Sequence, residues 1–171
     1  MKEISFLGDV LPLKNELYRL ALRITLSHQE AEDVVQDTLI KVWNKRDSWP
    51  QIESIEAYSL TICRNLALDK TRKASFMQPS IETEHMEEPA TPVANPQEKA
   101  IRSDQIALVR TIINALPEKQ RSCIQLRDFE GKSYKEVAEA LQISEEQVKV
   151  NIFRARQTIK QRFLKLDEYG L

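Results

Sequence analysis

Glycine is scarce in this chain, three residues in 171, and aromatic side chains make up only 6%. That scarcity argues against an all-β fold and leaves no material for a glycine-rich loop that cradles phosphate. Two cysteines, Cys63 and Cys123, supply neither a disulfide framework nor a zinc site. The two histidines, His28 and His85, stand in no metal-ligand spacing with each other. No metal and no cofactor is therefore expected, and no enzyme, because no candidate base sits beside a nucleophile. No apolar run approaches the roughly 18 residues that span a bilayer, so stable membrane insertion is not expected. Acids at Glu3 and Asp9 come too early for a secretory signal, which makes the cytoplasm the expected compartment. With 25 basic and 26 acidic side chains the net charge is -1, which excludes a uniformly basic coat but not local basic patches.

What is present suits small helical units. Charged residues at 30% and hydrophobic residues at 42% match helices with one buried stripe each. The expected fold is all-α: two small helical domains, residues 1–73 and 96–171, joined by a flexible acidic linker over 74–95. In that linker Pro79, Pro89 and Pro92 alternate with Glu82, Glu84, Glu87 and Glu88, without Lys or Arg. Such a segment lacks the periodic apolar residues that would offset its ordering entropy. Ahead of it, Leu13, Leu17, Leu20, Ala21 and Ile24 repeat at helical spacing. Ser27 to Glu30 then has the form of a capping box opening a helix that buries Ala31, Val35, Leu39 and Val42. After Pro50, Ser54 caps a third helix whose apolar face reads Ile55, Tyr58, Ile62 and Leu66. Cys63 and Cys123 fall within helices and are expected as small core residues.

The C-terminal half carries a sharper pattern. Asn95-Pro96 opens one helix, Leu116-Pro117 ends it, and the next runs from Glu118 to Phe129, closed by Gly131. Ser133 to Glu136 is another capping box, opening a short helix that reaches Leu141. Gln142-Ile143-Ser144 forms a tight turn, and Ser144 to Gln147 caps a long last helix with Val148, Ile152, Ala155 and Ile159 inward. Short helix, tight turn and long helix around Val137, Ala138 and Leu141 make a helix-turn-helix. Its outward face carries Lys149, Val150, Asn151, Phe153, Arg154, Arg156, Gln157 and Lys160. Between Ser144 and Leu166 six basic residues face two acids, both in the first turn where the helix dipole favours them. Arg and Lys can grip phosphate or guanine, Asn can pair with adenine, and Val or Phe can touch a thymine methyl.

Both halves resemble one family. Leu116-Pro117-Glu118-Lys119-Gln120-Arg121, Tyr134 to Leu141, and Val148-Lys149 through Arg156 are similar to region 4 of bacterial sigma factors. Ala31 to Thr38 with Val42-Trp43, and Tyr58 to Asp69, are similar to region 2. Two such domains without a folded intervening one resemble the extracytoplasmic-function type. Two features depart from the usual pattern. Gln142 stands where the turn often has glycine, at a cost on the order of 1 kcal/mol if the backbone is left-handed there. Val150 and Asn151 stand where Ser and Arg are frequent.

The resemblance implies a promoter-specificity subunit of bacterial RNA polymerase, with core polymerase and promoter DNA as partners and an anti-sigma factor as a further one by family analogy. It places core-polymerase binding on Asp33, Val34, Gln36, Asp37 and Lys41. Capture and melting of the minus-ten element fall to Ser48, Trp49, Gln51, Ile55, Tyr58, Arg64 and Asn65, with Lys70, Arg72 and Lys73 on backbone phosphates. Among these aromatics Trp49 is expected to face outward, while Trp43 and Tyr58 are expected to pack inside. The outward face of the last helix would read the minus-thirty-five element, and the acidic linker would thread toward the polymerase active-site channel. From the residues alone, a stand-alone helix-turn-helix regulator and a purely helical interaction protein remain open.

Overall fold

The computed structural model describes residues 3–76 and 96–168, and among these all regular structure is helical. The acidic stretch expected as a linker lies, from 77 to 95 and including His85, outside the described residues. Seven α-helices follow in order: α1 (Lys14–Thr25), α2 (His28–Asn44), α3 (Ile55–Phe76), α4 (Pro96–Asn114), α5 (Glu118–Ile124), α6 (Tyr134–Leu141) and α7 (Glu145–Glu168). A five-residue π-helical turn, Gln125–Phe129, continues α5 to Gly131, whose φ of +71° suits glycine.

The N-terminal unit is a three-helix bundle in which α1, α2 and α3 all pack on one another. Helix α1 stops because Leu26 turns left-handed (φ 58°), and Ser27 then accepts from the Glu30 N–H to start α2. Leu17, Leu20, Ala21 and Ile24 fill the centre as their spacing requires. Helix α3 departs from expectation: Ser59, Leu60, Cys63 and Ala67 are its buried residues. Ile55, Tyr58 and Ile62 instead pack around a second, smaller cluster of Val10, Val42 and Trp49. The helix lies between two clusters, so its burial does not follow a single stripe.

Helices α4 to α7 form the second unit, yet one continuous hydrophobic cluster runs from Leu17 and Leu60 through Leu126 and Leu141 to Val148 and Ile152. Each such buried side chain contributes about 1.5–3 kcal/mol relative to exposure. Where the units meet, α3 packs on α6 and α1 on α5. The polar contacts there are specific. Thr61 hydroxyl lies 2.9 Å from the Ala140 carbonyl, Arg64 donates to the Leu141 carbonyl (3.3 Å), and Arg64 meets both Glu118 oxygens at 3.1 Å. Arg23 donates to Gln125 and Asn114, each at 2.9 Å, and Arg19 grips Glu130.

Lys132, only 8% exposed, lies between two carboxylates of the other unit, Glu16 at 2.7 Å and Glu56. Glu16 Oε1 makes no directed hydrogen bond, so its share is electrostatic. Removing the ammonium strands Glu16, whose side chain is 13% exposed, and takes the partner from Glu56, which is 37% exposed. We expect Lys132→Ala to lower unfolding stability by about 2–3 kcal/mol, the lower side for a buried pair because Glu56 keeps partial access to solvent. Urea unfolding measures it; a midpoint unmoved from wild type would show that the ammonium holds nothing. Adding Glu16→Gln should recover part of the loss.

Candidate nucleic-acid interface

The helix-turn-helix is built by three caps. Ser133 Oγ accepts from the Glu136 N–H (3.1 Å) and Glu136 accepts in return from the Ser133 N–H (3.3 Å). The hydrogen bond from the Ser133 N–H is the main cause holding the exposed Glu136 carboxyl below the usual range. Gln142 ends α6 with φ 59°, the left-handed backbone in which glycine is common, and its side chain donates to the Glu139 carbonyl at 3.1 Å. Ser144 and Gln147 form a second reciprocal pair that starts α7 (3.1 and 3.3 Å). Val137, Ala138, Leu141, Val148, Ile152 and Ala155 are buried between the helices.

With that core fixed, α7 turns the expected residues outward. Val150 is 44% and Phe153 66% exposed, and Lys149, Arg154, Arg156, Gln157 and Lys160 are exposed as well. Asn151 is half-buried and donates back to the Gln147 carbonyl at 2.8 Å. The cations on this face are not equivalent. Arg156 makes a two-pronged pair with Asp128 (2.5 and 3.1 Å), a hydrogen-bonded contact that raises its already high pKa. Lys149 lies 5.5 Å from the centroid of the Tyr134 ring, which Arg127 also covers at 4.5 Å.

On the N-terminal unit, Asp33, Gln36, Asp37 and Lys41 share the exposed side of α2, whereas Val34 is fully buried. A valine in the core offers no side chain to a partner, so the exposed members alone form the surface. Asp33 pairs with Lys70 at 3.6 Å; among the described residues no ion pair joins Asp37 to Lys41. Exposed Ile40 and Trp43 continue this side toward the end of the helix.

The two tryptophans exchange the places expected of them. The 3₁₀ segment Arg46–Gln51 folds back under α2, and the Trp49 indole N–H donates to the Val42 carbonyl (3.0 Å), leaving Trp49 7% exposed. Trp43, on the outer side of the last turn of α2, is 44% exposed, edge-on to Phe6 and Trp49 and covered by Arg46 at 4.5 Å. Tyr58 is half-buried, as are Ile55, Ser48 and Lys70, while Gln51, Asn65, Arg72 and Lys73 are exposed. Arg64 faces the other unit, where Glu118 and the Leu141 carbonyl hold it.

The sequence reading missed Lys119, Asp128 and the basic pair Arg19 and Arg23, which reach from α1 to Glu130, Gln125 and Asn114 of the other unit. Only the four-residue spacing of Arg19 and Arg23 on one side of α1 hinted at a shared partner surface. Among the described residues no group of histidine, cysteine and acidic side chains could hold a metal ion, and no helix is long and apolar enough to cross a membrane.

Burial pushes the thiols of Cys63 and Cys123 up to about 12. Both therefore stay protonated near pH 8.5, where an exposed cysteine ionises. A disulfide reagent at about that pH should label neither residue in the native protein and both in urea; rapid native labelling would contradict this packing.

Comparison with known proteins places both units. Residues 10–76 match the family described as Sigma-70 region 2, and residues 106–159 match Sigma-70, region 4. The ECF RNA polymerase sigma factor SigL of Mycobacterium tuberculosis is 29% identical over 91% of this chain and 85% of its own length. The ECF sigma factor SigE of Mycolicibacterium smegmatis is 28% identical over 85% of this chain, which spans about half, 56%, of that relative's length. Among solved structures, the Bartonella quintana sigma factor RpoE, crystallised with the anti-sigma factor NepR, superposes with a TM-score of 0.71. It is 29% identical, and the match covers 92% of this chain and 95% of that one.

Proposed function

Because this chain belongs to the sigma-70 family of RNA polymerase sigma factors, in its extracytoplasmic-function (ECF) branch, we propose that it is a promoter-specificity subunit of bacterial RNA polymerase. The observation that carries this reading is the pairing, in one chain and in order, of a region 2 match with a region 4 match whose long helix turns Val150, Phe153 and Arg154 to solvent. In this reading residues 1–73 bind core enzyme and the minus-ten element, residues 96–171 read the minus-thirty-five element, and 74–95 connects them. It acts in the cytoplasm as a DNA-binding initiation factor and not as an enzyme.

Asp33, Gln36 and Asp37 are the proposed core-polymerase contacts. Asp33 and Asp37, four residues apart on exposed helix, repel by about a few tenths of a kcal/mol; Lys70 offsets part of this at Asp33, and a basic partner would offset the rest at Asp37. Minus-ten capture falls to the 3₁₀ segment and the exposed part of α3. Of the two tryptophans at this place, Trp43 at the end of α2 rather than Trp49 in the 3₁₀ segment is accessible for stacking on an unpaired base. Arg64 is held by Glu118 and the Leu141 carbonyl in this arrangement, so it would reach DNA only on leaving them. An anti-sigma partner is proposed on the likeness to the B. quintana protein, which was solved bound to one.

Transcription in vitro with core polymerase on pooled genomic fragments tests the reading: discrete start sites should appear only when the protein is added. Failure to bind core polymerase would leave a stand-alone helix-turn-helix regulator as the better account. Arg154→Ala should lower promoter binding about 5- to 150-fold, the range for one DNA contact worth roughly 1–3 kcal/mol, and spare core binding. Asp37→Lys should weaken core binding and leave duplex binding by the C-terminal unit intact. If both substitutions impair the same step, the division of labour is wrong.

A further inference from the structure

Basic residues on the DNA-facing side fall into two classes according to whether the protein already uses them. Arg156 is held by both oxygens of Asp128, and Lys149 lies against the Tyr134 ring. Arg154 has no ion-pair or hydrogen-bond partner among the described residues, and neither has Lys119, an exposed residue in the first turn of α5. Lys119 and Arg154 line one concavity together with Ser144, Gln147, Val150 and Asn151; Glu146 is the one carboxylate on its wall. Glu118, next to Lys119 in sequence, leaves it unneutralised: adjacent positions on a helix do not face each other, and that carboxylate accepts from the Ser122 hydroxyl of its own helix at 2.7 Å.

We propose that Lys119, off the recognition helix, is a phosphate anchor for promoter DNA, and that Asp128 withholds Arg156 from the same task. This rests on the reading that α7 enters the DNA at the minus-thirty-five element. A helix lying in a major groove about 12 Å wide has a phosphate ridge on each side. Base edges are met by the groove-facing residues of α7, here Val150, Phe153 and Arg154. A cation on a neighbouring element, across a concavity from those residues, meets the ridge and not the bases. Its contribution comes from released counterions, so it is salt-dependent and indifferent to sequence. An arginine already neutralised by a carboxylate contributes little of this kind, since moving it to a phosphate strands the acid.

The salt dependence of promoter binding by the assembled holoenzyme provides the test, on one promoter fragment and on its copy with the minus-thirty-five element scrambled. Lys119→Ala should reduce the slope of log affinity against log salt concentration by about one. It should weaken both fragments by the same factor, and Lys119→Arg should restore the slope. Asp128→Ala should free Arg156 and steepen the slope. An unchanged slope in Lys119→Ala, or a loss confined to the intact fragment, would overturn the anchor; an unchanged slope in Asp128→Ala would overturn the withholding of Arg156. Wild-type holoenzyme that binds the two fragments equally would instead overturn the minus-thirty-five reading itself, and this inference with it. Core affinity and thermal midpoint, measured alongside, should not change for Lys119→Ala because its side chain is exposed.

Discussion

An α-helix leaves its last four carbonyls without partners of its own, and in α6 those four are divided between the two halves of the chain. The turn that follows takes the Ala138 carbonyl through the backbone and the Glu139 carbonyl through the Gln142 side chain. The Leu141 carbonyl accepts from Arg64 of α3, and the Ala140 carbonyl shares the Thr61 hydroxyl of α3 with the Ala57 carbonyl. The first helix of the helix-turn-helix is thus terminated partly by the other unit. Its orientation, and through the shared core that of α7, is referred to the N-terminal bundle. Arg64 can do this because Glu118 and a carbonyl satisfy its guanidinium at once; either alone would leave donors idle in a half-buried place.

The net charge of -1 conceals a strict allocation. Arg19, Arg23, Arg64 and Lys132 point into the junction of the two units, where acids and amide oxygens of the opposite unit receive them. Arg154 and Lys119 point out with nothing to neutralise them. A count of basic residues along α7 therefore overstates the electrostatic footprint of that helix, and a count restricted to α7 overlooks part of it. The near-neutral total is no obstacle to DNA binding when the cations are sorted in this way.

The helix-turn-helix was almost fully legible in the residue order, because caps and periodicity are local: Ser133, Glu136, Ser144 and Gln147 act within one turn of their own position. The left-handed Gln142 was legible for the same reason. Trp43 and Trp49 were not. Their burial depends on a 3₁₀ segment folding back, and one hydrogen bond from Trp49 to the Val42 carbonyl decides which indole goes inside. Nor was the face of α3, since a helix between two clusters has no single apolar stripe. The pairs that join the units run from Arg64–Glu118, 54 positions apart, to Glu16–Lys132, 116 apart, and periodicity carries no information at that range. Val34, one residue from exposed Asp33, shows how a motif match can carry a core residue into a surface set.

The π-helical turn Gln125–Phe129 spreads five residues over a widened arc. Gln125 meets Arg23 at its start, and Asp128 holds Arg156 on the far side. A regular α-helix advances about 100° per residue, so loss of one residue here would swing everything after it by roughly that angle. Arg23 and Arg156 would not both keep their partners. What is constrained in this segment is its length more than its composition: relatives could exchange several of its side chains, whereas a single deletion would shift the register between the two units and the recognition helix.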